Sequence, residues 1–285
     1  MKIRIISGVI GLCILAALLL LPAYITAITI LAASIIGLYE FSKALKEKDV
    51  HIDLPVSVIA TFIIVAKAYS AGLSESAFPA LTGFMDVSLS GNYLNAFLYI
   101  IIVYLFCRII FGKGSFGIED MAYTFLGIIY IPFLLSFAVA TRNLERGFQY
   151  IWLVVIGAVA TDTFAYFTGV TIGKTKIIPH ISPKKTVEGS IGGIIGCMLA
   201  MVLYGILVMN GQDYEPVEIY HLAVLGLLCG FVSQLGDWAA SSIKRNMGIK
   251  DFGNLIPGHG GIMDRIDSVL FVAPIVYIYI NIFLL

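Results

Sequence analysis

Apolar stretches of about twenty residues recur along the whole of this 285-residue chain, and the short connections between them hold most of its charge. A helix needs about 20 such residues to cross the roughly 30 Å hydrocarbon core of a bilayer. On that ruler nine segments qualify, near 5–21, 23–42, 54–72, 93–111, 118–140, 148–169, 189–209, 220–242 and 267–284. Only 13% of residues are charged and 59% are hydrophobic, with mean hydropathy +0.96. A soluble domain is about a quarter charged, so a soluble fold is excluded. The expected class is all-α: a polytopic integral membrane protein with about nine transmembrane helices.

The start, MKIR followed by a long apolar run to Pro22, has the layout of a signal peptide. Another hydrophobic run follows Pro22, which favours an uncleaved first span. The stretch 73–92 is too polar and broken to cross, and is expected at the interface. Cys13, Cys107, Cys197 and Cys229 lie singly in apolar runs and read as small hydrophobes. Formal net charge is zero because opposite charges sit in different connections. Nothing in that pattern points to nucleic acid.

Orientation follows from the excess of Lys and Arg in cytoplasmic connections. With the N-terminus inside and nine alternating spans, every Lys and Arg falls on the inner side except Arg142, Arg146 and Lys67, the last within a span. The outer connections carry Glu75, Asp86, Asp213, Glu215 and Glu218. The expectation is therefore a cell (inner) membrane protein, N-terminus cytoplasmic and C-terminus outside.

Residues 1–140 are chemically quiet and read as a scaffold; Glu40 and the KALKEKD run after it read as a solvated helix end. The chemistry lies in 141–285, with cytoplasmic loops 170–188 and 243–266. Asp162 stands inside the sixth span, where an ionisable group marks a functional site by default. The alternative is an aspartate satisfied by the Thr161 or Thr163 hydroxyl. In the loop after it, Lys174, Lys184, Lys185, Ser182 and Thr186 offer cations and hydroxyls suited to phosphate. The GVTIGKT run lacks the glycine spacing of a P-loop. Thr186 is placed to N-cap the seventh span, with Glu188 in its first turn. Gly189, Gly192, Gly193, Gly196 and Ala200 then form a small-residue face for helix packing. Such faces are also compatible with a homodimer.

Ser233, Asp237, Ser241 and Lys244 or Arg245 form one polar stripe down the eighth span. A stripe of that kind does not face lipid. After it, Lys250, Asp251, the turn PGHGG (257–261), Asp264, Arg265 and Asp267 crowd together. Basic side chains neutralise phosphate oxygens, glycines let amides approach them, and aspartates hold hard cations such as Mg²⁺. Asp264 and Asp267, three residues apart, share a face if the last helix has begun. His259 reads equally as a phosphate donor, a base or a loop histidine bonded to backbone.

This region resembles the CDP-diacylglycerol synthases, or phosphatidate cytidylyltransferases, whose signature has the form S-x-K-R-x4-K-D, a spacer, then P-G-H-G-G-x-x-D-R-x-D. Ser242, Lys244, Arg245, Lys250, Asp251, Pro257, Gly258, His259, Gly260, Gly261, Asp264, Arg265 and Asp267 match it without a gap. ISPKKTVEGSIGG and the span holding Asp162 are similar to that family too. The resemblance implies a Mg²⁺-dependent reaction of CTP with phosphatidate that yields CDP-diacylglycerol and pyrophosphate. For that reaction the residues themselves suggest metal at Asp237, Asp264 and Asp267, with Asp162 nearby. Lys244, Arg245, Lys250, Arg265 and the Gly260 and Gly261 amides take the triphosphate, with His259 beside them. Ser182, Lys184, Lys185 and Thr186 engage either phosphate group. The rivals are a CTP-dependent membrane lipid kinase, which needs the same groups, and a secondary transporter of an anionic substrate. The transporter class carries internal repeats, and none is visible here.

Overall fold

The computed structural model describes residues 2–70, 91–112, 114–210, 215–256, 258 and 260–285. Among the described residues the chain is helical, with no strand beyond two isolated bridges. Besides a short turn of helix at Lys46–Lys48, the described residues form nine long helical segments in order: α1 (Lys2–Leu20), α2 (Ala23–Leu45), α3 (Leu54–Ser70), α4 (Gly91–Phe111), α5 (Ile118–Arg142), α6 (Gly147–Ile172), α7 (Val187–Met209), α8 (Ile219–Asn246) and α9 (Met263–Phe283). Six of them, α2 and α5 to α9, are long and apolar enough to cross a membrane. The stretch 73–92, expected at the interface, lies outside the described residues apart from its last two positions, which begin α4. α9 starts four residues before the apolar run does, so Asp264 falls in its first turn. In α5 one turn widens around Pro132, whose ring cannot fit a regular turn and which has no N–H to donate.

The helices run back and forth between two ends. At one end the Arg142 guanidinium donates to the Leu21 carbonyl, at 3.2 Å. Asn143 Nδ2 there donates to the carbonyls of Ala68 and Tyr69, and Arg146 to those of Met209 and Glu215. At the other end Arg108 meets Asp53 at 2.5 Å, the His51 amide donates to Asp120, and Lys244 meets Asp264. These contacts carry α2, α3 and α5 to α9 from one end to the other, alternating in direction.

Two of the apolar cores among the described residues pack the helices that carry the aspartates. One joins α6 to α9 through Tyr150, Leu153, Met201, Leu225, Cys229 and Val276, with Leu19 of α1 and Ala138 of α5 at its edge. The other brings α2 and α5 against α8 and α9 through Leu38, Phe41, Ile131, Leu135, Ala240, Met263 and Leu270. The small face of α7 is spent on α6. A Cβ on Gly192 would sit 2.3 Å from Thr168 Oγ1, and one on Gly196 2.1 Å from the Phe164 ring. Gly236 on α8 lies as tightly against the backbone of Asp267 and Ser268. These contacts fix the depth at which the aspartates of α6, α8 and α9 meet.

Candidate active site

Loop 173–186 is shaped as a short hairpin. The amide of Ile177 donates to the Lys185 carbonyl and that of Val187 to Thr175, and Lys176 bridges to Thr186. Glu188 takes the amides of Lys174 and Thr175. Thr186 caps α7, its hydroxyl oxygen accepting from the Gly189 amide at 3.1 Å. The hairpin so anchored carries Lys185 onto α8, where its ammonium pairs with Asp237. The same ammonium lies 5.8 Å from the centre of the Trp238 ring.

A cavity of about 390 Å³ opens at this pair. Asp162, Tyr166, Ser182, Lys184, Lys185, Thr186, Ser190, Gln234, Asp237 and Trp238 line it. The hydroxyls of Thr161 and Thr163 both donate to carbonyls of their own helix. They leave the Asp162 carboxylate to the cavity, where it is exposed. The stripe on α8 faces inward: Ser241 Oγ donates to Asp237 Oδ1 at 3.2 Å, and Ser233 is fully buried.

Asp267, buried on α9, interacts electrostatically with both Asp237 and Asp162. Arg265 and Lys185 act on Asp162 in the same way. Around this set the buried hydroxyls of Tyr130, Ser233 and Ser268 and the indole N–H of Trp238 have no hydrogen-bond partner. Tyr130 is close enough to feel the charges of Asp267 and Asp237. Buried polar groups are normally satisfied, so this concentration of orphans marks a place built for a polar guest. Among the described residues no three His, Cys, Asp or Glu side chains converge on one point closely enough to ligate an ion by themselves. Their chemistry nevertheless fits Mg²⁺, which takes hard oxygens and completes its shell with water and substrate phosphate. The Lys185 ammonium is the cation that pairs with Asp237.

Asp264 is placed differently from the other aspartates. Its Oδ1 accepts from Lys244 at 2.7 Å, and its Oδ2 takes the amides of Phe252 and Gly261 at 2.9 and 3.0 Å. Both side chains of this pair are buried. The Gly261 amide is thus already engaged by a carboxylate. Gly260 adopts φ +88, where a side chain would be strained, and its carbonyl closes the turn onto the Ile256 amide. Arg245 is exposed and reaches the carbonyls of Ile181 and Ile249, which ties the hairpin to the loop after α8. Lys250 and Arg265 are exposed beside it. His259 lies outside the described residues.

Glu40 departs from the solvated helix end expected of it. Lys43, Lys46, Glu47, Lys48 and Asp49 are exposed as expected, but Glu40 is buried at 6% exposure and caps α9 across the molecule. A carboxylate that close to the core of an apolar span was the available signal. Gln234 is a second unforeseen site residue; it holds Ser190 at 2.5 Å across the cavity wall.

The model of the cytidylyltransferase family matches residues 2–283 of the chain. The chain is 31% identical to the phosphatidate cytidylyltransferase of Bacillus subtilis over 284 residues, 99% of this chain and 98% of that protein. It is 32% identical to the protein of the same name from Synechocystis, over 97% of this chain and 95% of that one. Against the Thermotoga maritima phosphatidate cytidylyltransferase the identity is 37%, covering 55% of this chain and 58% of that protein.

Proposed function

Because the chain belongs to the cytidylyltransferase family, we propose that it makes CDP-diacylglycerol, moving the cytidylyl group of CTP onto phosphatidate and releasing pyrophosphate. The observation that carries this reading is the cavity that gathers Lys185, Asp237 and Asp162 between apolar helices of a multi-pass membrane protein. A water-soluble nucleotide and a bilayer lipid need such a meeting place.

An anionic oxygen of the phosphatidate phosphate attacks the α-phosphorus of CTP. The new P–O bond forms there, the bond from that phosphorus to the bridging oxygen breaks, and its electron pair leaves with pyrophosphate. The nucleophile carries its own charge, so alignment and neutralisation dominate over proton removal. Lys184, Lys185, Ser182 and Thr186 hold phosphate oxygens from the hairpin side. Arg245, Lys250 and Arg265 approach from the exposed loop and the start of α9, with His259 as a further donor to the leaving group. Gly260 and Gly261 shape the turn beside them. The Lys244–Asp264 pair keeps this wall in register. We assign Mg²⁺ to Asp162, Asp237 and Asp267, with Asp264 behind them. The ion, when bound, supplies positive charge to the phosphate oxygens at the reacting phosphorus.

CTP is cytoplasmic, so the end of the bundle that holds the cavity faces the cytoplasm. All nine helical segments then cross, the N-terminus lies inside and the C-terminus outside. The Lys and Arg residues of the connections concentrate on that inner side, with Arg142 and Arg146 the two exceptions at the opposite end. Residues 1–140 act as scaffold and 141–285 as the catalytic region.

Purified protein in mixed micelles should release pyrophosphate only when CTP, phosphatidate and Mg²⁺ are all present. Pyrophosphate release without phosphatidate, or none with all three, would remove the reading.

A further inference from the structure

One carboxylate of the scaffold reaches the catalytic wall. Glu40, near the end of α2, accepts from the Ile262 amide at 3.1 Å and the Met263 amide at 2.8 Å, across 222 and 223 residues of sequence. These are the first amides of α9, and Ile262 supplies no side-chain cap of its own. A helix start with buried, unpaired amides is unstable, and a carboxylate there satisfies both the donors and the dipole. The signature loop is cut to fit this group: a Cβ on Gly253 would meet Glu40 Oε1 at 2.4 Å, and one on Gly261 would meet Oε2 at 2.3 Å.

Glu40 and Asp264 divide the local amides between them. Asp264 takes Phe252 and Gly261, while Glu40 takes Ile262 and Met263. Asp264 follows Met263 directly, and Asp267 lies one helical turn further on, toward Asp237 and Asp162. Both the height and the rotation of α9 at Asp267 are therefore set by a residue from the first half of the chain.

We propose that Glu40 is a positioning residue for cytidylyl transfer: it clamps the first turn of α9 and so aligns Asp267 with Asp237. This inference rests on the reading of the site given above. The clamp makes no contact with the cavity, so its loss acts on alignment at the reacting phosphorus more than on nucleotide capture. A displacement of about 1 Å at a reacting centre costs about 100-fold in rate.

The test compares wild type with Glu40→Gln and Glu40→Ala at equal amounts of folded, monodisperse protein. Glu40→Gln keeps one acceptor and should lower kcat about tenfold; Glu40→Ala should lower it about 100-fold. The KM for CTP should stay within about twofold of wild type in both. Formate should restore Glu40→Ala in a concentration-dependent manner, and chloride should not. Hydrogen exchange of the segment 252–268 should quicken in Glu40→Gln. Wild-type kcat in both variants, or a loss that tracks only the folded fraction and ignores formate, would overturn the clamp. Wild-type protein that fails to make CDP-diacylglycerol would overturn the functional reading instead. In that case the exchange measurement alone still decides on Glu40, unchanged exchange counting against it.

Discussion

Lys185 and Asp237 are joined, ammonium to carboxylate, across 52 residues of sequence. The pair closes a charged hairpin onto an apolar helix. Substrate phosphates would compete with Asp237 for this ammonium, and the proposed Mg²⁺ would compete with the ammonium for the carboxylate. Asp237→Asn should therefore cut kcat by about 100-fold or more while the protein still elutes as a folded species. Lys184→Ala, which removes a cavity cation that pairs with no aspartate among the described residues, should raise the KM for CTP about tenfold. Steady-state kinetics with varied CTP separates the two effects. A near-wild-type kcat in Asp237→Asn would take that residue out of the metal site.

The Lys244–Asp264 pair is buried on both sides. Removing one member leaves a charge without its partner in the interior, so Lys244→Met should cost about 3 kcal/mol of stability. Adding Asp264→Asn to that variant should return part of the loss. Thermal unfolding in detergent reads both changes. Equal melting of Lys244→Met and wild type would show that the pair contributes nothing to stability.

The contact between α6 and α7 leaves no space for a branched side chain. Gly196→Val would drive its side chain into the Phe164 ring, and overpacking of this kind costs about 1–3 kcal/mol. The melting temperature should fall, and Phe164→Ala in the same chain should relieve part of the fall.

Most of the helix pattern was legible because lipid imposes one rule, an apolar run of fixed length. Thr186 as the cap of α7, the packing face of its glycines, and the inward stripe through Asp237 were all readable from spacing alone. The early start of α9 was not, since 263–266 holds two charged residues and no apolar run marks it. The different placements of Asp264 and Asp267 were equally hidden: both sit on one helical face, and Asp264 is set apart by Lys244 and the amides of Phe252 and Gly261, which no spacing records. Glu40 was missed because its partners are backbone amides more than 200 residues away, and no side-chain pattern records an amide.

The two ends of the bundle differ in what they offer to a reagent. In a chain carrying Cys13→Ser and Cys107→Ser, a cysteine replacing Glu215 should react with a membrane-impermeant maleimide in sealed right-side-out vesicles. A cysteine replacing Lys250 should react only after the vesicles are opened. Both positions are exposed, so access reports sidedness. The reverse pattern would invert the orientation.

The most direct test of the central claim follows two labels of CTP in one reaction with phosphatidate and Mg²⁺, one label in the cytidine and one on the γ-phosphate. The account predicts that the cytidine label enters the chloroform-soluble lipid while the γ-label leaves as pyrophosphate. Recovery of the γ-label in the lipid, with the cytidine label left in water, would contradict it.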